Sequence, residues 1–304
     1  MTAKNKILII GSEGFIGSKL IQYYLQNNYE VFGCDLNAPI FINYNFIKND
    51  MTSNFWLQLF ENKKFDYCVN AGGKSDVNAS VINPTEDFVS HVIETQKILD
   101  AIRNYNNQCK YLHISSAAVY GNPDQLPILE TTNCKPLSPY GWHKLMSENV
   151  CNEFNKVYNI PITIIRPFSV FGPGLKKQIF WDVFQKYKKN PAEIELWGNG
   201  NETRDYVYID DLISIIALLL INAEMKCDVY NVGSGIEKSI NETIRTFFEI
   251  FESKPRLTFN GNNKKGNPLN WKADISKLIS MGYQNKYDFK KGISLTADWL
   301  KTNG

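Results

Sequence analysis

Six short runs in the first half of the chain have the β-branched and aromatic content of buried strands: 6–10, 30–34, 45–47, 67–70, 110–114 and 162–166. Between them, segments 15–26, 85–104 and 140–158 place apolar residues at helical spacing. In the second of these helices Phe88, Val92, Thr95, Leu99 and Ile102 form one stripe, and Val89, Ile93 and Ile98 widen it to a second apolar side. Two apolar sides suit packing on a sheet and on a second subunit. Strands alternating with helices predict an α/β fold, a doubly wound parallel sheet covered by helices.

The pattern changes after Arg166-Pro167. Helical patterns at 178–188, 211–223 and 241–251 are separated by longer polar loops, and 260–268 is rich in Gly, Asn and Lys, as in a surface loop. The expected organisation is a dinucleotide-binding unit over 1–168 and a smaller mixed α/β unit over 169–304, mainly for substrate.

Composition narrows the function classes. The 304 residues are 43% hydrophobic and 21% charged, with a formal net charge of +2 and no long basic block. Neither nucleic acid nor a membrane surface is called for as a partner. The most apolar run, 212–221, has ten residues with Ser214 inside it, too few to span a bilayer. The apolar start at 7–10 runs straight into glycines, unlike a signal peptide, so a cytoplasmic location is expected. Cysteines 34, 68, 109, 134, 151 and 227 form no Cys-x-x-Cys pair; they read as free thiols, and no metal is expected.

Candidate chemistry begins at Gly11-Ser-Glu-Gly14-Phe15-Ile16-Gly17, between a strand and a helix. Glycines at this spacing permit a tight turn and let backbone N–H groups approach a pyrophosphate at the helix N-terminus. Asp35 closes the second strand 24 residues after Gly11, where a carboxylate accepts ribose hydroxyls and repels a 2′-phosphate. NAD is therefore expected over NADP. Asp50, followed by Met51 after the third strand, is placed to meet an adenine edge.

Tyr140 and Lys144 lie four residues apart, on one face of a helix. An ammonium beside a phenol favours the phenolate and makes a proton carrier for a hydroxyl. Tyr44/Lys48 and Tyr287/Lys291 repeat the spacing, so spacing alone does not choose among them.

Order does choose. The glycine turn and Asp35 are followed by Ser115-Ser116-Ala-Ala-Val-Tyr-Gly121 and Tyr140-x-x-x-Lys144. Arg166-Pro-Phe-Ser-Val-Phe-Gly-Pro-Gly174 and Arg204-Asp-Tyr-Val-Tyr-Ile-Asp-Asp211 come after. This series resembles the extended short-chain dehydrogenase/reductase family, in its nucleotide-sugar epimerase/ketoreductase branch (UDP-galactose 4-epimerase-like). The resemblance implies a Rossmann domain, NAD as cofactor, and Ser116, Tyr140 and Lys144 as the catalytic set. Ser116 would hold the reacting oxygen, Tyr140 move the proton, and Lys144 hold the nicotinamide ribose and lower the Tyr140 pKa. It places Ala71, Gly72 and Lys74 on the cofactor, with Lys74 near a phosphate. For a nucleotide-diphosphate sugar substrate it implies Ser169, Arg204 and a late cation, Lys264 or Lys265. It also implies a homodimer through two helices per subunit and a place in nucleotide-sugar metabolism and polysaccharide biosynthesis.

The chain departs from that family in four places. Ala117 and Ala118 stand where dehydratases carry Asp-Glu, Ser169 where epimerases commonly have Asn, and His91 where many relatives have Asn; the late diphosphate arginine is missing. Asp210 and Asp211 read as helix-capping residues. The expected activity is redox chemistry at C4 of a nucleotide-activated hexose, first as a 4-epimerase. The alternatives are a one-way 4-ketoreductase or C4 dehydrogenase and, from another class, a non-catalytic dinucleotide sensor.

Overall fold

The computed structural model describes residues 4–39, 43–262, 266 and 268–304. Its strands begin with β1 (Lys6–Ile10), β2 (Glu30–Asp35), β3 (Asn45–Lys48), β4 (Tyr67–Asn70), β5 (Lys110–Ile114) and β6 (Ile162–Pro167). They continue with β7 (Ser169–Phe171), β8 (Glu193–Leu196), β9 (Thr203–Tyr208), β10 (Lys226–Val232), β11 (Glu237–Ser239) and β12 (Arg256–Phe259). The largest sheet is parallel, in the order β10-β6-β5-β4-β1-β2-β3.

Side chains on a strand alternate between faces, and β1 shows what this does. Ile7 and Ile9 enter one buried cluster, Leu8 and Ile10 the other, so this strand is sealed on both sides. Helices α1 (Phe15–Gln26), α2 (Phe55–Asn62), α3 (Val77–Ile82), α4 (Pro84–Phe88), α5 (Glu94–Tyr105) and α6 (Pro139–Tyr158) come from the first half of the chain. Helices α7 (Gln178–Lys189), α8 (Ile209–Asn222), α9 (Ile240–Ile250), α10 (Ser276–Ser280) and α11 (Phe289–Asn303) come from the second. α1 and α8 cover one face of the large sheet, and α2, α5 and α6 the other. Among the described residues no helix is long and apolar enough to cross a membrane.

The expected strands and helices form with ends shifted by a residue or two, except that the long helix at 85–104 is not uniform. A π-helical turn, Val89–Ile93, joins α4 to α5 and carries His91. Of the two apolar sides, Ile98, Leu99 and Ile102 are buried as α2 and α6 pack against α5, while Val89 on the π turn stays exposed.

After residue 168 the chain does not leave the large sheet for good. β10 pairs with β6, and α8 packs on the same sheet. β10 was not legible because it carries Asp228 and Asn231. Asn231 is fully buried and satisfied by Tyr120 and the Ile128 carbonyl, partners that only the fold supplies. The remaining second half forms two small sheets, β11-β9-β7 and β12-β8, with α7, α9 and α11 around an aromatic core.

The order of the large sheet reverses at β1, whose neighbours are β2 and β4. At such a switch point the loops leaving the strands diverge and open a crevice, the usual ligand position in doubly wound sheets.

Candidate active site

A cavity of about 1090 Å³ opens at that crevice and runs to the second half of the chain. Gly14, Ser116, Tyr140, Lys144, Ser169 and Arg204 all line it.

At one end β1 turns sharply into α1. Gly11 has φ +77°, and a Cβ at Gly17 would lie 2.0 Å from the Gly11 carbonyl oxygen, so the turn requires glycine at both places. Gly14 is the N-cap and offers no side chain to the first-turn N–H groups, while Phe15 and Ile16 border the cavity. An uncapped helix N-terminus facing a cavity fits an anionic phosphate. Asp35 ends β2; its carboxylate accepts from the Glu13 N–H at 3.0 Å and the Asn37 N–H at 3.0 Å. The glycine turn and the expected ribose-binding carboxylate are thus held together, an arrangement that fits a dinucleotide. Ala71 and Gly72 line the cavity from the end of β4, and a Cβ at Gly11 would meet the Ala71 carbonyl oxygen at 2.8 Å.

Two further residues expected at the cofactor, Asp50 and Lys74, are engaged with other groups of the protein. Asp50 lies outside the cavity lining, exposed, accepting from the Thr52 N–H and hydroxyl at 3.0 and 2.8 Å, and Met51 beside it is exposed. Lys74 borders the cavity, but its ammonium pairs with Glu86.

Tyr140 and Lys144 sit in the first turns of α6, which is capped by Ser138 accepting from the Gly141 N–H at 3.2 Å. Both are buried. Ser116 neighbours the Tyr140 phenol and acts on it as a polar group that lowers its pKa, and its hydroxyl accepts from the Ala118 N–H at 3.1 Å. Lys144 donates to the Ile114 carbonyl at 2.8 Å, and its Nζ lies 6.0 Å from the Tyr140 ring centre. Burial drives the phenol up to about 12, opposed by Ser116 and helped by the negative charge of Asp87. Burial likewise lowers Lys144 to about 8, against the pull of Asp87 and Glu148. Among the protein's own groups desolvation is thus the largest influence on Tyr140, whereas the expectation named Lys144 together with the cofactor's positive charge.

The two other Tyr-x-x-x-Lys pairs separate at once. Tyr44 precedes a strand and gives its hydroxyl hydrogen to Glu13, so its spacing to Lys48 is not helical. Tyr287 stacks on Tyr208 and lies under Lys291, outside the cavity lining.

At the far end Ser169 opens β7 and Arg204 lies in β9. Arg204 donates to the Thr203 and Leu269 carbonyls at 2.7 and 3.0 Å and lies over the Trp271 ring. It pairs with neither neighbouring aspartate: Asp205 instead accepts from the Ser234, Gly235 and Ala273 N–H groups. Asp211 does not cap α8 either; it accepts from the Lys286 and Tyr287 N–H groups. Lys264 and Lys265 lie outside the described residues. Lys176, Lys177 and Lys186 also border this end, cations that no spacing pattern announced.

The sequence profile of the NAD dependent epimerase/dehydratase family matches residues 7–233. A Methanocaldococcus jannaschii protein assigned as a UDP-glucose 4-epimerase is 31% identical, over 98% of this chain and 99% of that protein. The chain belongs to the NAD dependent epimerase/dehydratase family.

Solved members of similar shape agree. UDP-glucuronic acid 4-epimerase from Bacillus cereus, solved with UDP-glucuronic acid and NAD, is 28% identical with a TM-score of 0.88, covering 98% of this chain and 99% of that one. UDP-N-acetylglucosamine 4-epimerase from Methanobrevibacter ruminantium, solved with UDP-N-acetylmuramic acid, is 25% identical with a TM-score of 0.87 over the full length of both chains. This family member is an enzyme and its cofactor is NAD. Within it, buried His91 and Asp87 and half-buried His143 form a group beside Tyr140; the sequence motifs pointed only to the first.

Proposed function

We propose that the protein is a 4-epimerase of a nucleotide-activated hexose. One observation carries the reading: a single cavity joins an uncapped helix N-terminus, a Ser116–Tyr140–Lys144 group and Arg204. The sugar is read as lying between the last two, with its diphosphate toward Arg204 and Ser169. Guanidinium geometry suits phosphate oxygens, and Arg204 has no carboxylate bridged to it in the described structure that would have to be displaced.

Gly11, Gly14, Phe15, Ile16, Gly17 and Asp35 would hold the dinucleotide, with Ala71, Gly72 and Lys74 along its edge. Bound NAD supplies the nicotinamide carbon that takes and returns a hydride. Tyr140 takes the proton of the sugar 4-hydroxyl as the C4 hydrogen departs with its electron pair. Ser116 donates to the same oxygen and stabilises the charge that develops there. Tyr140 must be the phenolate to accept that proton, and Lys144, an ammonium below about pH 8, steadies this form before it is protonated. Once the 4-keto sugar has turned, Tyr140 would return the proton to the C4 oxygen as C4 is reduced from its other face. Ala117 and Ala118 carry no acid–base group, so removal of water across C5–C6 has no agent at those positions.

The solved relatives named above are UDP-sugar 4-epimerases, which makes UDP-hexoses the first substrates to try. The test is incubation with UDP-, GDP-, dTDP- and CDP-hexoses without added nicotinamide. Interconversion of C4 epimers with no net reduction of dinucleotide is expected. A stoichiometric change in cofactor redox state would assign a one-way oxidoreductase instead.

The homodimer belongs to the same proposal. Trp142 and Met146 are exposed on α6, and Val89 is exposed on the π turn packed beside it. Trp142→Glu combined with Met146→Glu is expected to give a monomer in sedimentation; a wild-type monomer would remove the idea.

A further inference from the structure

The chain has three histidines, and all three lie on or against α6, the helix of the proposed proton carrier. His113 meets Ser147, whose hydroxyl donates to the Lys144 carbonyl. The His91 ring stands edge-on to Tyr140 at 5.5 Å between centres. His143 precedes Lys144 and puts Nδ1 2.6 Å from a carboxylate oxygen of Asp87. Asp87 is 3% exposed, and its other oxygen lies 3.6 Å from His91 Nε2.

The proton positions follow from the partners. His91 Nε2 lies 2.9 Å from the Lys74 carbonyl, which can only accept, so Nε2 carries the hydrogen. The ring packs so closely under Gly73, at φ +96°, that a Cβ there would lie 2.6 Å from Nδ1. A carboxylate also only accepts, so His143 donates from Nδ1. The side chain of Asp87 therefore touches the catalytic helix on one side and the π turn beneath the 72–74 loop on the other.

We propose that Asp87 is a positioning residue for the Tyr140–Lys144 pair, a buried carboxylate that anchors His143 on α6 by a hydrogen bond and packs against His91 under the cofactor-lining loop. The proposal rests on the reading of Tyr140 as proton carrier. Three segments that must agree in position meet at this carboxylate: α6, the π turn, and through His91 the 72–74 loop. The charge of Asp87 acts as well. His143 touches it from α6 and His91 from the π turn, Tyr140 and Lys144 feel its charge, and the Lys74 ammonium is turned away to Glu86. A fixed negative charge here disfavours the phenolate and favours the ammonium, so it weighs against the phenolate that Tyr140 must become to accept the substrate proton.

Two substitutions separate position from charge. Asp87→Asn keeps an acceptor for His143 but removes the charge, whereas Asp87→Ala removes both. For Asp87→Ala, kcat should fall about tenfold at unchanged KM, and the His143 Nδ1 proton should be lost from the imidazole NMR spectrum. Asp87→Asn should retain that proton and most of kcat, while the acid limb of its kcat/KM profile moves to lower pH. Unchanged kcat in Asp87→Ala, or an unmoved acid limb in Asp87→Asn, would overturn the proposal and leave the proton-transfer reading intact. Full turnover in Tyr140→Phe would overturn both. Should neither Asp87 variant fold, the wild-type spectrum decides: His143 protonated only at Nε2 refutes the tie.

Discussion

Arg166 grips Glu148 with two parallel bonds, Nε to Oε1 at 2.9 Å and Nη2 to Oε2 at 2.6 Å, in the interior of the protein. Glu148 lies one helical turn beyond Lys144 and also accepts from Ser115 at 2.5 Å, next to Ser116. Arg166 reaches on to the Tyr120 hydroxyl at 2.8 Å, and Tyr120 donates to Asn231 at 2.7 Å. The pair thus connects α6, the Ser115–Ser116 turn and the edge strand β10.

Removing one partner of a buried ion pair leaves an uncompensated charge. Glu148→Gln should lower stability by about 3 kcal/mol or more and reduce turnover by loosening the Ser116 turn. The double change Glu148→Leu with Arg166→Met should cost less than Glu148→Gln alone. Urea unfolding of the two proteins checks the order, and the reverse ranking would contradict it.

Tyr140→Phe should lower turnover by about 10²- to 10⁴-fold, the usual worth of a positioned proton carrier. Ser116→Ala should cost less, because Tyr140 and Lys144 remain. Steady-state kinetics on an accepted UDP-hexose measures both, and equal losses would point to a shared structural defect.

Lys144 opposes stability where it serves chemistry. Its folded value, about 8, lies below the ordinary 10.5, so between those limits the folded state binds fewer protons than the unfolded one. Stability therefore rises as pH climbs from about 8 to 10.5, and the burial cost is fully present below 8. Lys144→Met should abolish turnover yet stabilise the protein at pH 7 by about 1–3 kcal/mol. The gain should shrink as pH approaches 10.5. Thermal melts across that range test the sign; a lower Tm for the variant at pH 7 would show that the lost bond to Ile114 matters more.

Asp35→Asn keeps an acceptor for the Glu13 N–H while removing the charge that would repel a 2′-phosphate. The ratio of NADP to NAD dissociation constants should fall by about tenfold. An unchanged ratio in titration calorimetry would move the discrimination elsewhere, with Glu13 beside it the first place to look.

Local chemistry was legible without the fold. Strand-length apolar runs, the glycines of the 11–17 turn and the ordered motifs depend on neighbours in sequence, through side-chain alternation and helical spacing. They determined the parallel sheet, the phosphate-facing turn, and which of three identical tyrosine–lysine spacings to follow.

Long-range partners decided the rest. β10 joins the large sheet although its sequence is polar, because Tyr120 and the Ile128 carbonyl satisfy Asn231. Arg204 is open to the cavity because the aspartate beside it turns to three backbone N–H groups. The Tyr140 phenol is pushed up because burial disfavours the phenolate and the charge of Asp87 acts in the same direction. Asp87 looks like an ordinary first-turn acid in the sequence, yet two histidines converge on it in space. Desolvation and convergence are properties of tertiary packing. Spacing along a chain therefore names the residues, and the fold assigns their protonation and their partners.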